Sequence, residues 1–317
     1  MTEETGYAIE VENLTKRYGE LLAVDDISFT VSTGELFALL GPNGAGKTTT
    51  VEIIDTIRMP TSGKVTLLGR DVTKKKHDIV RRIGVLPQGF NSFDRITVRE
   101  TLEYYSRLFS CRNCDIDGLI ELVNLKDKSK EQYRSLSGGL KQRLGIAIAL
   151  VNDPEVVFLD EPTTGLDPRA RREVWEVLLG LKKKGKTVFL TTHYMEEAEL
   201  LADRVAIISK GKIIAMGSPA GLIKNNTKYL VLTLQSVDEN VVEIIRSMGF
   251  KPVIDNHRDI KTRVEHTDDV QKILSALKES GALYRGLEVG IPNLEEVFLK
   301  LTGEALHDGQ VTSRGIK

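Results

Sequence analysis

The chain has 317 residues, a formal net charge of −1 and 41% hydrophobic residues, which suits one large or two medium-sized domains with ordinary cores. The near-neutral charge argues against a dominant nucleic-acid surface, which needs a basic excess. No stretch approaches the ~20 apolar residues that span a bilayer. The acidic N-terminus also lacks the form of a signal peptide. The chain is therefore expected in the cytoplasm, with any membrane part of its function in another chain.

The cysteines at positions 111 and 114 form the sequence CRNC. A zinc site needs four ligands, and no second Cys/His pair lies at a useful spacing. We therefore expect two reduced thiols on a helix or loop.

The most informative stretch is LFALLGPNGAGKTTT, residues 36–50. Its apolar run, bounded by Gly and Pro, predicts a strand buried on both faces, as in a parallel sheet. The following turn fits the pattern G-x-x-x-x-G-K-[ST], in which backbone N–H groups and a helix N-terminus bind phosphate. The lysine would reach the β- and γ-phosphates, and the threonine hydroxyl would coordinate Mg²⁺. The residues assigned to a nucleotide here are Gly41, Pro42, Asn43, Gly44, Ala45, Gly46, Lys47, Thr48 and Thr49.

Two further segments, one before and one after the phosphate loop, supply weaker candidates for nucleotide-binding residues. Residues 8–14 and 25–31 alternate and predict strands, so Tyr18 is expected in a connecting turn, either as a packed surface aromatic or as a platform for adenine. Residues 81–88 predict a strand that ends at Gln88. A polar residue at a strand end near phosphates can hold Mg²⁺ or the attacking water, although a lone glutamine is otherwise uninformative.

Residues 95–150 predict mainly helices. Thr97 and Glu100 have the spacing of a capping box at a helix start. Further on, Ser137, Gly138 and Gly139 precede a strongly apolar helix, so their backbone N–H groups form a second candidate anion site.

Two more apolar strands are predicted to end in polar residues. VVFLDEP (156–162) ends in Asp160 and Glu161, and such a strand can deliver an aspartate to the metal of a phosphate loop. Glu161 would then face the attacking water; a solvated loop is disfavoured by the apolar run and the following proline. KTVFLTTH (186–193) ends in His193. A lone histidine is usually structural, but this position lies on the sheet edge where ligands bind.

These motifs together resemble the ATP-binding subunit of an ABC transporter. GPNGAGKTT is similar to the family's Walker A, Gln88 to its Q-loop, LSGGLKQR to its signature and VVFLDEP to its Walker B. GLDP is similar to the D-loop, His193 to the switch histidine, and Tyr18 to the aromatic that stacks on adenine. All occur in family order over about residues 8–220. Leu140 stands where the family often has glutamine.

The resemblance implies an α/β fold of the P-loop NTPase class. It would have a mixed sheet core, a β subdomain and a helical subdomain at about residues 90–150, all within an ATP-binding domain of residues 1–225. It also implies ATP hydrolysis by a head-to-tail homodimer, with each ATP between one copy's Walker A and the other copy's signature. The implied catalytic residues are Lys47, Glu161 as general base, and His193. The implied Mg²⁺ ligands are Thr48, Gln88 and Asp160.

Residues 226–303 change in character. Their predicted order, β-α-β-β-α-β, suggests a small α+β ferredoxin-like domain, expected to stabilise a dimer, regulate activity or sense a ligand. Residues 291–303 resemble the closing helix of the daunorubicin-resistance (ABC-2) exporter group, which serves drug, antibiotic and polysaccharide export. Residues 304–317 are expected to be a flexible tail.

A local concentration of large apolar side chains predicts a partner surface within residues 90–125. Such side chains can receive a helix in a groove, here a short cytoplasmic helix of an ABC-2-type membrane permease, which would hold the chain on the inner face of the membrane. Packing within the helical subdomain is the alternative. The side chains concerned are Phe90, Phe93, Leu102, Tyr104, Tyr105, Leu108 and Phe109.

The alternative function is that of a soluble ABC ATPase acting on nucleic acid or the ribosome. Such proteins usually carry two cassettes, long coiled coils or zinc modules, whereas this sequence has one Walker A and no sustained heptads. No nucleic-acid partner is therefore expected.

Overall fold

The computed structural model describes residues 6–111, 113–235, 240–254, 259–303, 305–307 and 310–312. The chain divides into two compact units: unit 1 comprises residues 1–219 and 304–317, and unit 2 runs from Ala220 to Gly303. The predicted boundary at residues 225–226 lies a few residues later along the chain.

Up to Pro219, the described part of unit 1 combines two sheets with seven α-helices. Its strands are β1 (Tyr7–Tyr18), β2 (Leu21–Ser32), β3 (Leu36–Leu40), β4 (Ser62–Leu67), β5 (Arg70–Asp71), β6 (Ile83–Leu86), β7 (Val156–Asp160), β8 (Thr187–Thr192), β9 (Arg204–Ser209) and β10 (Lys212–Gly217). Its helices are α1 (Lys47–Ile54), α2 (Lys76–Val80), α3 (Val98–Leu108), α4 (Ile116–Leu122), α5 (Gly138–Ala149), α6 (Pro168–Lys183) and α7 (Met195–Leu201).

The larger sheet has the order β10-β9-β3-β8-β7-β6. All neighbours in it are parallel except β10, which runs antiparallel to β9. Strand β3 is central and its residues are all fully buried, as the apolar run predicted. Because β3, β7 and β8 are parallel, their carboxyl ends meet at one edge of the sheet. The mixed sheet expected from the sequence is confirmed.

The smaller sheet is antiparallel, with the order β2-β1-β4-β5. It packs on the larger sheet through a line of aromatic rings. Phe29 of β2 stacks on Phe37 of β3 with ring centroids 5.3 Å apart. The line continues to Phe189 and Phe158, at centroid distances of 5.4 and 5.7 Å. These rings form the centre of the apolar core beneath the phosphate loop.

Two local expectations are wrong in detail. Tyr18 is not in a turn, because β1 and β2 remain paired up to Tyr18 opposite Leu21. Strand β6 ends at Leu86 rather than at Gln88, because Pro87 has no N–H to extend the hydrogen-bond ladder.

The region between β6 and β7 is mainly helical, as predicted. Helix α3 begins with the expected capping box between Thr97 and Glu100.

The expectation of reduced thiols is wrong: Cys111 and Cys114 form a disulfide, with Cα atoms 5.8 Å apart, a distance that a disulfide can span. The turn after α3, with Ser110 at φ 57°, leads the chain into this bridge.

Unit 2 contains one antiparallel sheet with helices. Its elements are α8 (Pro219–Asn226), β11 (Leu230–Gln235), α9 (Asn240–Ser247), β12 (Val253–Ile254), β13 (Ile260–Val264), α10 (Thr267–Glu279), β14 (Gly286–Gly290) and α11 (Leu294–Thr302). The sheet order is β12-β13-β11-β14. Its core joins the sheet to α9 and α10 through Leu232, Val241 and Ile273. From β11 to β14, the order of strands and helices is the predicted one, whereas the ferredoxin-like classification stays a prediction.

The flexible tail expected at residues 304–317 falls mostly outside the described residues. The described part forms two short antiparallel strands, β15 (Ala305–His307) and β16 (Gln310–Thr312).

Candidate functional site

The loop between β3 and α1 packs closely against the backbone of neighbouring strands at two of its glycines. Gly46 has φ 104°, and a Cβ there would lie 2.4 Å from the Ala23 carbonyl oxygen. A Cβ on Gly41 would lie 2.2 Å from the Ile208 carbonyl oxygen. No side chain caps the first turn of α1, whose leading N–H groups have no partner within a helix. The open first turn of α1 would suit the anion predicted for the run from Gly41 to Thr49, and that assignment stays a prediction.

Lys47 is the cation of this site and is only 4% exposed. Its Nζ donates to the carbonyl oxygens of Gly41 and Pro42, at 2.8 and 3.0 Å. It also lies 3.0 Å from Glu161 Oε1. Burial lowers the pKa of Lys47, and the neighbouring Glu161 counteracts this. A phosphate bound in the loop would be a further ion-pair partner of the Lys47 ammonium group.

Glu161 is the point where the predicted catalytic residues meet. Its Oε2 lies 3.1 Å from His193 Nδ1, 3.0 Å from Thr164 Oγ1 and 3.4 Å from Gln88 Nε2. Burial acts to raise the pKa of Glu161, but His193 and Lys47 outweigh it and lower the pKa to about 2. The carboxylate is therefore ionised and able to accept a proton.

The backbone at Glu161 is unusual. Its φ is 49°, in the left-handed region that non-glycine residues rarely occupy. Its N–H donates to Thr191 Oγ1 at 3.0 Å. Strained conformations of this kind persist where surrounding contacts fix them, and they cluster at active sites.

Asp160 is the last residue of β7 and is buried. It accepts a hydrogen bond from the Thr191 hydroxyl. Burial raises the pKa of Asp160, and hydrogen bonds from Thr191 and Thr48 oppose the rise. The Thr48 hydroxyl and the Asp160 carboxylate are thus neighbouring oxygen donors, the type that Mg²⁺ prefers.

A magnesium nucleotide fits these residues better than a bare metal ion does. Within the part of the chain that the structure describes, no group of three or more His, Cys, Asp or Glu side chains could hold a metal ion. Mg²⁺ is commonly bound by one or two protein oxygens together with substrate phosphates. The open N-terminus of α1 beside Thr48 and Asp160 suits that combination.

Tyr18 and the glycine pair after Ser137 lie on other elements. Tyr18 ends β1 and is 37% exposed. Lys16 Nζ and Arg58 Cζ lie 5.1 and 5.3 Å from the centroid of its ring. Ser137 caps α5. The neighbours of Gly138 and Gly139 are Leu166 and Ala170, which precede and begin α6.

Sequence reasoning missed three residues of this site. Thr191 pairs with Asp160 across the parallel strands β7 and β8, which the two strand predictions would have allowed once aligned. Thr164 follows Glu161 by three residues and returns to its carboxylate. Glu197 lies on α7, four residues after His193, and is fully buried.

The predicted partner surface is a mixture of exposed and core residues. Phe93, Tyr104 and Leu108 are 53%, 45% and 60% exposed. The rings of Phe93 and Tyr104 meet edge to face at 5.2 Å. Leu102, by contrast, is fully buried, so its assignment to this surface is wrong.

Among the described helices, none has the length and apolar character needed to cross a membrane.

Comparison with known proteins agrees with this geometry. A family model described as ABC transporter matches residues 24–164. The dimeric structure of the ATP-binding cassette MJ0796 in a post-hydrolysis state, bound to ADP and Pi, is 27% identical and has a TM-score of 0.60. The match covers 66% of this chain and 98% of that one.

Two curated relatives match over almost their whole length. The Nod factor export ATP-binding protein I of Burkholderia lata is 40% identical over 95% of this chain and 98% of its own. The protein of the same name from Rhizobium meliloti is 39% identical over 95% of this chain and 90% of its own. The chain therefore belongs to the ABC transporter family, as an ATP-binding subunit that hydrolyses ATP in transport.

Proposed function

We propose that this subunit powers the export of a drug, antibiotic, lipid or polysaccharide through a separate membrane permease of the ABC-2 type. The convergence of Lys47, Gln88 and His193 on Glu161 is the observation that carries the hydrolytic part. The near-full-length likeness to Nod factor export proteins supports export. The proposal places the chain in the cytoplasm, on the inner face of the membrane.

The phosphate loop and its neighbours bind and orient the nucleotide. Backbone N–H groups of Gly44, Gly46 and Lys47 hold the phosphates, and Lys47 balances the charge on the transferred phosphoryl group. Thr48, Gln88 and Asp160 would hold Mg²⁺, which would supply further charge stabilisation. Tyr18 stacks on the adenine. The remaining loop contacts come from Gly41, Pro42, Asn43, Ala45 and Thr49.

Glu161 acts as the general base. His193 and Lys47 hold it as a carboxylate, the form that can accept a proton, and its position beside Asp160 would direct it to the attacking water. Accepting the proton there contributes roughly 10²–10⁴-fold to a reaction of this type. His193, which is in contact with Glu161 at 3.1 Å, holds the carboxylate and approaches the γ-phosphate.

A complete site requires a second copy of the chain. Ser137, Gly138 and Gly139 form a helix N-terminus whose neighbours are on α6 rather than in the phosphate loop. An anion site of this kind suits the γ-phosphate bound to the other copy. The homodimer that results is head to tail, and the isolated monomer has two incomplete half-sites.

The permease binds at the exposed aromatic surface formed by Phe93, Tyr104, Leu108 and Phe109. This surface follows Gln88, which contacts Glu161, so a change at the γ-phosphate can reach it through a short stretch of chain. A permease helix with apolar anchors fits such a surface. Tyr105 is partly buried and its ring packs against that of Tyr104. Phe93 is more exposed, so it is the better position for a test. We also propose that unit 2 has an accessory role, in stabilising the dimer, regulating activity or sensing a ligand.

The test separates catalysis from attachment. The Phe93→Glu variant is expected to keep ATP binding and basal hydrolysis, because Phe93 lies outside the nucleotide site, while co-purification with a membrane protein and export are lost. Val80→Glu, an exposed apolar position outside this surface, is the matched control and should stay attached. Identification of the co-purified chain names the permease. Release of the protein by a substitution in residues 226–303, with Phe93→Glu still attached, would place the coupling surface in unit 2.

A further inference from the structure

Glu197 is a buried acidic residue that the proposed hydrolysis does not use. It lies on α7 and is 0% exposed. Its Oε1 accepts hydrogen bonds from Thr163 Oγ1 at 2.8 Å and from Trp175 Nε1 at 2.9 Å. Its Oε2 is buried and makes no hydrogen bond of ordinary geometry among the described residues, although the Thr192 hydroxyl interacts with the carboxyl group. A buried carboxyl group with this arrangement needs a physical explanation.

The two hydrogen bonds join three parts of the site. Thr163 lies two residues after Glu161, and Trp175 lies on α6. Glu197 itself lies on α7, four residues after His193. A single carboxyl oxygen therefore ties the segment of the general base to α6 and to the helix that follows His193.

These ties lie at the end of the ladder between β7 and β8. The last paired residues of β7 and β8 are Asp160 and Thr191. The Glu161 N–H still donates to Thr191, and β8 pairs with β3 as far as Thr192. The side chains of Glu161 and His193 lie beyond these pairs, so the distance between them depends on other contacts. Glu161 also has a left-handed φ of 49°, a conformation that persists only when surrounding contacts impose it.

The aromatic neighbour of His193 gives a second tie to α6. The rings of His193 and Tyr194 have centroids 4.1 Å apart. Arg171 of α6 places its Cζ 4.1 Å from the centroid of the Tyr194 ring. Helix α6 thus contacts the residue next to His193 through Arg171 and reaches Glu197 through Trp175.

We propose that Glu197 is a positioning residue for ATP hydrolysis: its hydrogen bond to Thr163 fixes the Glu161 segment against the His193 segment. This inference rests on the proposed roles of Glu161 and His193. Loss of the bond lets the two segments separate, and the 3.1 Å contact between Glu161 and His193 loosens. Misplacement of catalytic groups by about 1 Å can cost roughly 10²-fold in rate.

The proposed role needs an acceptor oxygen at this position rather than a negative charge, because Oε1 accepts both hydrogen bonds. Burial raises the pKa of Glu197 more strongly than the neighbouring hydrogen-bond donors and the Arg171 guanidinium lower it. A glutamine amide has nearly the same shape and keeps a carbonyl oxygen that accepts from Thr163 and Trp175. Glu197→Gln should therefore retain the function that Glu197→Ala loses.

The experiment compares four variants of the full chain by kcat, KM for ATP and melting temperature. Glu197→Ala is expected to lower kcat about tenfold or more, with little change in KM, because positioning fails after ATP has bound. Glu197→Gln is expected to stay within about threefold of the wild-type kcat. Thr163→Val and Trp175→Phe each remove one donor to the same oxygen. Only Thr163→Val should lower kcat, although both lower the melting temperature.

The outcomes separate this inference from the proposed roles on which it rests. Glu161→Gln and His193→Ala are measured alongside, and unchanged hydrolysis in both would overturn the site assignment itself. If both lose activity, but Thr163→Val and Trp175→Phe lower kcat equally, Glu197 only stabilises the fold and the inference is wrong. A wild-type kcat in Glu197→Ala would also overturn it. Rescue by glutamine, together with a selective kcat loss in Thr163→Val, supports it.

Discussion

The two units of the chain bury different kinds of side chain. Unit 1 buries several ionisable groups, and most of them gather near the carboxyl ends of β3, β7 and β8. In the described part of unit 2, the buried polar residues are Thr227 and Thr262, and the rest of its core is apolar. The buried ionisable residues of unit 1 are Glu35, Lys47, Asp55, Arg143, Asp160, Glu161, His193 and Glu197.

This contrast distinguishes the unit that contains the proposed catalytic site from a unit whose buried residues serve stability. Removing a charge from water costs several kcal/mol, which an ion pair offsets only with good geometry and added hydrogen bonds. A fold without a reaction to perform has little reason to accept that cost. Unit 2 reaches its stability through apolar contacts such as those of Leu232 and Ile273. Substitutions should therefore affect activity in unit 1 and stability alone in unit 2.

The largest effect is expected from Glu161→Gln. The amide cannot accept the proton of the attacking water, so hydrolysis should fall by roughly 10²–10⁴-fold. It also removes the negative charge that Lys47 contacts at 3.0 Å, so ATP binding should be kept or strengthened. A filter-binding assay and size-exclusion chromatography with ATP would show a nucleotide-bound dimer.

The control for this variant is Glu155→Gln. Glu155 is an acidic residue of the same unit, paired with Arg82 and half-exposed. Its substitution should leave hydrolysis unchanged. Wild-type turnover in Glu161→Gln would remove Glu161 from the role of general base.

A large effect of a different kind is expected from Ile273→Ala. Ile273 lies on α10 and is fully buried in the core of unit 2. Removal of its buried atoms should cost about 2–5 kcal/mol of unfolding free energy, while ATP binding is kept. Hydrogen exchange of α10, measured beside an ATP-binding titration, separates the two readouts. The exposed neighbour Lys272, changed to alanine, is the control, and a loss of ATP affinity in Ile273→Ala alone would show that the units are not independent.

The sequence predicted those parts of unit 1 in which local pattern and structure agree. The apolar runs at residues 36–40 and 156–160 became buried strands, and the polar residues after them met at one edge. This follows because a parallel sheet leaves few other positions for their carboxyl ends. The capping box at Thr97 is equally local.

The failures concern properties set by residues distant in the chain. Leu102 and Tyr104 both stand in one apolar and aromatic run, yet one is core and the other surface, because α5 and neighbouring loops decide which face of α3 is covered. The Cys111–Cys114 bridge depends on a turn that the spacing does not reveal. Glu197 looks like a solvated helix residue in EEAELL, and only the packing of α6 on α7 buries it.

The contrast also predicts a difference in pH dependence, which Asp55 can test. Asp55 follows α1, is 3% exposed and accepts a hydrogen bond from the Ile57 N–H at 3.1 Å. Burial, with smaller contributions from Glu52 and Asp160, raises its pKa from 3.8 to about 7. As the pH rises from 4 to 7, the unfolded chain releases this proton and the folded chain keeps it, so the unfolding free energy falls.

The Asp55→Asn variant should remove that decline. Its unfolding free energy should match the wild type near pH 4 and exceed it by about 1–3 kcal/mol near pH 8. Denaturant melts at several pH values provide the measurement. Parallel curves for variant and wild type would show that Asp55 is not held neutral by the fold.

The smallest effect is expected at the surface charges of unit 2, where Arg263 Nη2 lies 2.9 Å from Glu296 Oε2. Arg263 is half-exposed, and water and salt screen a pair of this kind, so its net contribution is about 0–1 kcal/mol. Glu296→Gln keeps an oxygen that accepts from the Tyr229 hydroxyl, now at 3.1 Å. We expect the melting temperature to change by only a few degrees at most, with the difference vanishing in high salt. A loss as large as that of Ile273→Ala would show that unit 2, too, depends on a charge, and the contrast between the units would fail.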